Sequence, residues 1–129
     1  MSLLSNQRVS SGRILVVDDD ESARELIVSS LRADGHDVES SSNGLEALRL
    51  VVRQWYDLIV SDLKMPGLDG PNLYSEITRR WPTGRPHVLF VSACGATSEY
   101  DGFLKVIRAP VLAKPFKVRD LRRAIRRML

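Results

Sequence analysis

Four acidic residues, Asp18, Asp19, Asp20 and Glu21, close a short apolar run in ILVVDDDES, and another carboxylate, Asp62, closes a second run in YDLIVSDLKMPGLDG. Two strand ends that both present carboxylates make a site for a divalent metal. Carboxylates held that close repel one another by roughly 4 kcal/mol per pair at a separation of about 4 Å and an effective dielectric of about 20. A fold keeps such a cluster when a cation neutralises it. A hard, oxygen-seeking ion such as Mg2+ does so with one or two carboxylates and completes its shell with water and phosphate oxygens. The chemistry implied is that of phosphate.

The elements that must position these groups can be read from the apolar pattern. From Arg13 onward short apolar runs alternate with helical periodicity, the signature of βαβ units and a parallel sheet. Strands are predicted at Arg13 to Val17, Asp37 to Ser40, Leu58 to Ser61, His87 to Val91, and at Val111 and Leu112. The first helix, Glu21 to Ala33, carries Ala23, Leu26, Ile27, Ser30 and Leu31 on one face and is stopped by Gly35. Asn43 with Glu46 three residues on resembles a capping box, opening a helix through Leu45, Leu48, Val51 and Val52. Pro71 suits a first helical position, and Pro82 ends that helix by Trp81. A short, weak helix is read across residues 95–107, and a basic one closes the chain, giving five strands and five helices. In an open parallel sheet, ligands gather outside the carboxyl ends of the strands, near the topological switch point. Those ends carry Asp18 and Asp19, then Asp62, then Ser92, then Lys114. Acidic ligands, a hydroxyl and an ammonium are thereby expected to converge.

Composition bounds the rest. The 129 residues, 43% hydrophobic and 27% charged, fit one soluble domain, and no apolar stretch approaches the roughly 20 residues a membrane helix needs. One cysteine, Cys94, excludes an internal disulfide, and a cytoplasmic address is the simplest expectation. Residues 1–12, MSLLSNQRVSSG, read as a disordered leader or linker ahead of a domain at 13–129. The net charge of +3 hides an asymmetry: residues 108–129 carry +7 and the remainder −4. In KVRDLRRAIRRML the apolar Val118, Leu121, Ile125 and Met128 follow helical spacing, leaving Arg119, Arg122, Arg123, Arg126 and Arg127 on the other sides. Without interleaved aromatics this reads as a solvated helix face, not a nucleic-acid surface.

Four pieces, ILVVDDD, LIVSDLKMPGLDG, VLFVSA and LAKPF, stand in order with Asp19, Asp62, Ser92 and Lys114 spaced 43, 30 and 22 residues apart. Together they resemble the receiver domain of bacterial two-component response regulators, over residues 13 to about 128. The resemblance implies a flavodoxin-like, doubly wound α/β fold with five parallel strands in the order 2-1-3-4-5. It implies that Asp62 is the phosphoacceptor, taking a phosphoryl group from a histidine kinase or histidine phosphotransfer domain to give an acyl phosphate. Mg2+ would be held by Asp18, Asp19, Asp62 and the backbone carbonyl of Lys64. Ser92 and Lys114 would bind phosphoryl oxygens, and a cis peptide is implied between Lys114 and Pro115. Pro66, Gly67, Asp69 and Gly70 shape the loop, and Asp20 and Glu21 suit a helix N-terminus. Such a domain catalyses its own phosphorylation and dephosphorylation and is not otherwise an enzyme. The modification would bias a face built from the fourth helix, fifth strand and fifth helix, where Arg122 and Arg126 are expected to meet a partner or a second copy. The chain departs from the family pattern at Val111, where many receivers place a switching aromatic; Tyr100 and Phe103 are the aromatics near it in sequence. Lys64 and Cys94 flank the site.

A rival from another class is a Mg2+-dependent phosphatase of the haloacid dehalogenase kind, with Asp18 and Asp20 forming its DxD and Asp18 as nucleophile. Against it stand the absence of a late acidic pair and of room for a cap domain. A third reading is a degenerate receiver used only as a binding module, opposed by the intact set of Asp18, Asp19, Asp62, Ser92 and Lys114.

Overall fold

A computed structural model describes residues 11–93, 99–107 and 109–129. Five strands, β1 (Arg13–Val17), β2 (Asp37–Ser41), β3 (Leu58–Asp62), β4 (His87–Ser92) and β5 (Val111–Ala113), pair in parallel in the order β2-β1-β3-β4-β5. Helices α1 (Glu21–Ala33), α2 (Gly44–Arg53), α3 (Gly70–Arg80), α4 (Asp101–Ile107) and α5 (Val118–Met128) form the crossovers and the closing element. The expected class and strand order hold. Part of the weak helix read at 95–107 lies outside the described residues, as does Cys94.

Strand residues alternate between two cores, as a pleated sheet covered on both faces requires. Ile14, Val16, Leu58, Val60, Leu89 and Val91 point to one side, where Ile27 and Leu31 of α1 and Leu121 and Ile125 of α5 cover them. Leu15, Val17, Ile59, Val88 and Phe90 point to the other, under Ala47 and Val51 of α2 and Leu73 and Ile77 of α3. Phe103 of α4 joins that second core edge-on to Phe90 and Tyr74. Val111, at the sheet edge, is 43% exposed. Among the described residues no helix is long and apolar enough to cross a membrane.

Local signals act largely as read, although the reciprocal half of the capping box is taken by Ser41, whose Oγ accepts from the Asn43 N–H. Asp20 caps α1 by accepting from the Ser22 N–H, and Asn43 caps α2 by accepting from Glu46 N–H at 2.8 Å. Gly35, at φ +91°, ends α1 in the left-handed conformation that glycine adopts most readily. Gly12, read as the last residue of the leader, is tied to the sheet: its N–H donates to His36 Nδ1 and its carbonyl accepts from Asp37 N–H.

The helix faces need correction. In α1, Leu26 is exposed and Val28 is buried in its place. In α2, Leu45 and Val52 point outward, and Gly44, Ala47 and Val51 make the buried contact. The cause in α2 is a backbone approach. A Cβ at Gly44 would lie 2.0 Å from the carbonyl oxygen of Leu68, so the first turn sits against the β3–α3 loop and the helix cannot rotate to bury Leu45. Arg122, expected to meet a partner, also donates to Asp34 at the end of α1, 2.7 Å away.

Candidate phosphoacceptor site

Strands β3, β4 and β5 each deliver one polar group at the carboxyl end of the sheet, and β1 delivers two, Asp18 and Asp19. After β1 the Asp18 N–H donates to Ser41 O, which extends the strand pairing to the aspartate and leaves its side chain 1% exposed. Its Oδ1 accepts from the Asp20 N–H at 3.0 Å, and its backbone carbonyl accepts from the Arg24 guanidinium at 2.7 Å. Arg24 was not singled out in the sequence; its place six residues after Asp18, on the first turns of α1, is the signal for it. Asp62 ends β3, with Oδ1 accepting from the Leu63 N–H at 2.8 Å. Gly70 closes the loop that follows: its N–H donates to Leu63 O, and a Cβ there would stand 2.6 Å from Asp62 O. Asp69 caps α3 through the Asn72 N–H, and Gly67 holds φ +75°, so these residues shape the loop as expected.

Lys114 follows β5 and is fixed by its own N–H, which donates to Ser92 O at 2.8 Å. The Lys114–Pro115 peptide is cis. Lys114 Nζ reaches 2.7 Å from Asp18 Oδ2 and 3.3 Å from Asp62 Oδ2, bridging the two carboxylates across the sheet. One carboxylate oxygen from each of Asp18, Asp19 and Asp62 lies within 4.8 Å of the others. Asp19 is exposed and lines, with Asp62, Lys64, Met65, Pro66, Ser92 and Ala93, a cleft of about 560 Å³. All the side chains expected to converge do so; Met65 and Ala93 are added to them. Asp20 is drawn away, its carboxylate being spent on the helix cap.

The electrostatics follow from two carboxylates, Asp18 and Asp62, sharing one ammonium, with Asp19 beside them. Burial pushes the Asp62 carboxyl above its ordinary range; Lys114 opposes this and the Asp18 charge reinforces it. Burial alone would lower the Lys114 ammonium, but its hydrogen bond to Asp18 and the charges of Asp62 and Asp18 outweigh that and hold it above its ordinary value. The site therefore keeps a permanent cation and an excess of negative charge, the donor set that suits a hard divalent ion.

The family model described as response regulator receiver domain matches residues 14–126. The chain belongs to that family. Response regulator MprA of Mycobacterium leprae is 37% identical over 117 residues, covering 91% of this chain, and response regulator protein FleR of Pseudomonas aeruginosa is 32% identical over 111 residues, covering 86%. The chain spans half the length of the first relative and 23% of the second. Among solved structures, the receiver domain of sensor histidine kinase PA1611 from Pseudomonas aeruginosa, described with a magnesium ion coordinated in its active site cleft, superposes with a TM-score of 0.83 at 30% identity. That match covers 92% of this chain and 97% of the other. The phosphatase reading is overturned: a receiver match over nearly the whole chain, and an Asp20 committed to capping α1, leave no DxD site of that kind.

Proposed function

We propose that Asp62 accepts a phosphoryl group from a histidine kinase or a histidine phosphotransfer domain, with Mg2+ held by Asp18, Asp19, Asp62 and the Lys64 carbonyl. The observation that carries this reading is the position of Lys114 Nζ within hydrogen-bonding reach of both Asp18 and Asp62, beside a third carboxylate. Mg2+ would supply charge neutralisation on the phosphoryl oxygens. An ionised Asp62 oxygen attacks phosphorus, the bond from phosphorus to the donor imidazole nitrogen breaks, and that nitrogen keeps the electron pair. Lys114 would pair with one phosphoryl oxygen and the Ser92 hydroxyl, at the neighbouring strand end, would donate to another. The chain is thus a substrate that assists its own phosphorylation and later hydrolysis, not an enzyme acting on other molecules. The face of α4, β5 and α5 is assigned to the downstream partner or a second copy, and the cytoplasm is the compartment where such donors work.

Intact mass after incubation with acetyl phosphate and Mg2+ tests the proposal. A gain of about 80 Da, the mass of one phosphoryl group, should depend on Mg2+, vanish with chelator and be absent in Asp62→Asn. A gain that survives in Asp62→Asn, or none in wild type with either acetyl phosphate or a phosphohistidine donor, would overturn it.

A further inference from the structure

We propose that the outward face of α2 is a docking surface for an amphipathic helix with an acidic rim, supplied by another protein. Leu45, Val52 and Trp55 are 51%, 47% and 45% exposed. Leu45 and Val52 are seven residues apart and so lie on one side of the helix, two turns apart, and the exposed Trp55 follows just past its end, after the extended Gln54. Single exposed apolar residues are ordinary, but two large ones aligned on one helix side, with an exposed tryptophan beside its end, are the form a helix takes when it packs against something. The rotation that exposes this stripe is imposed from within, by the contact of Gly44 with Leu68 O, so α2 cannot turn to bury it. The tryptophan is fixed as well: its ring meets Trp81 edge-on at 5.9 Å, and its Nε1–H donates to Asp57.

Charge selects the occupant. Arg49 and Arg53 stand together along one side of the Leu45–Val52 line, and Arg80 stands at the end of the neighbouring α3. Among the described residues none of the three is in an ion pair. A helix bearing a Leu-rich seam edged with glutamates on the arginine side would cover the apolar line and give those guanidiniums partners. A second copy of α2 fits less well. Antiparallel pairing about the middle of the stripe brings Arg49 against its own equivalent, a like-charge contact at the centre of the interface.

A fluorescein-labelled synthetic peptide, helical and with a leucine seam flanked by glutamates, serves as the probe, and binding is followed by anisotropy and by amide shift mapping. The expected result is saturable binding that shifts amides of residues 44–55 and weakens as salt is raised. Leu45→Glu with Val52→Glu, or Arg49→Glu with Arg53→Glu, should weaken binding at least about tenfold. Leu26→Glu, an equally exposed leucine on α1, should leave it unchanged. Circular dichroism shows that each variant is folded, which is expected because every substituted side chain is exposed.

Equal affinity for a lysine-flanked or scrambled peptide would overturn the proposal. So would shifts mapping elsewhere, preference for a single-stranded oligonucleotide, or a wild-type dimer abolished by Val52→Glu. Phosphorylation of Asp62 is not needed for any of these readings, so failure here leaves the phosphoacceptor proposal standing, and the reverse.

Discussion

The two ends of the same sheet treat their aspartates in opposite ways. At the carboxyl end, Asp62 shares one ammonium with Asp18 and lies in a partly buried cleft, and its carboxyl is pushed above the ordinary range by burial. At the amino end, Asp57 accepts from the Arg13 N–H at 2.8 Å and from Trp55 Nε1–H at 3.0 Å, and these bonds hold its carboxyl below the ordinary range. Tyr56, Gln54 and Glu39 close a further network beside it. Fixed neutral donors meet the carboxylate at one end, and charge exceeds compensation at the other. The first arrangement stabilises a fold, and the second leaves a site that a cation or a phosphoryl group can complete.

The sharpest way to break the contrast is to remove its one shared cation. Lys114→Ala leaves Asp18 buried beside Asp62 with no ammonium between them. Acetyl phosphate labelling should slow by about 10²–10³-fold, the usual cost of one lost oxyanion donor. Folding stability in chelator should fall by about 3 kcal/mol, as for a broken buried pair. Mg2+ binding should tighten, because the competing cation has gone. Calorimetric titration of the metal and urea unfolding with and without it separate the two effects; an unchanged labelling rate would remove Lys114 from the chemistry.

The second prediction sets the two aspartates against each other in pH. Asp57 has a folded pKa below its ordinary 3.8, so its contribution is complete above the unfolded value and is lost as pH falls through the depressed one. Asp62 has a folded pKa above 3.8, so the folded state binds that proton more tightly than the unfolded chain does. Its ionisation therefore costs stability above the raised value, and the cost is relieved as pH falls through it. In chelator at neutral pH, Asp62→Asn should melt higher than wild type and lose that relief at acid pH. Asp57→Ala should lose about 1 kcal/mol at neutral pH by leaving two donors without their acceptor. That deficit should shrink as the pH drops below the depressed value. Deficits of the same sign in both variants would end the contrast.

The site was more legible in the sequence than the surfaces around it. Asp18, Asp19, Asp62, Ser92 and Lys114 each follow a β-branched or leucine-rich run, and in a doubly wound sheet every such run ends at the same edge, so strand assignment alone brings them together. Rotation of a helix is a different matter. In α2 the residues Leu45, Ala47, Leu48, Leu50, Val51 and Val52 spread apolar character around more than half the circumference, so period cannot choose a face. The choice is made by Gly44, whose missing side chain admits the Leu68 carbonyl, and hydrophobicity gives no weight to that. The Asp57 network was illegible for a related reason: its partners are a backbone N–H on β1 and an indole two residues away, a pairing fixed by strand register and not by any motif.

The smallest effect sharpens the picture of the amino end, where α1 finishes and α5 packs against it. Arg122 Nε, on the face expected to meet a partner, stands 2.7 Å from Asp34 Oδ2. Both side chains are about a third exposed, so solvent screens the pair, and it should contribute only about 0.5 kcal/mol, or roughly 2 °C in Tm. Arg122→Ala should lose that amount at low salt and almost nothing at high salt, whereas Asp57→Ala should be nearly indifferent to salt because its partners are neutral donors. Should both deficits screen alike, the amino end would be held by surface charge instead of by satisfied hydrogen bonds. Its difference from the Asp62 end would then be one of degree.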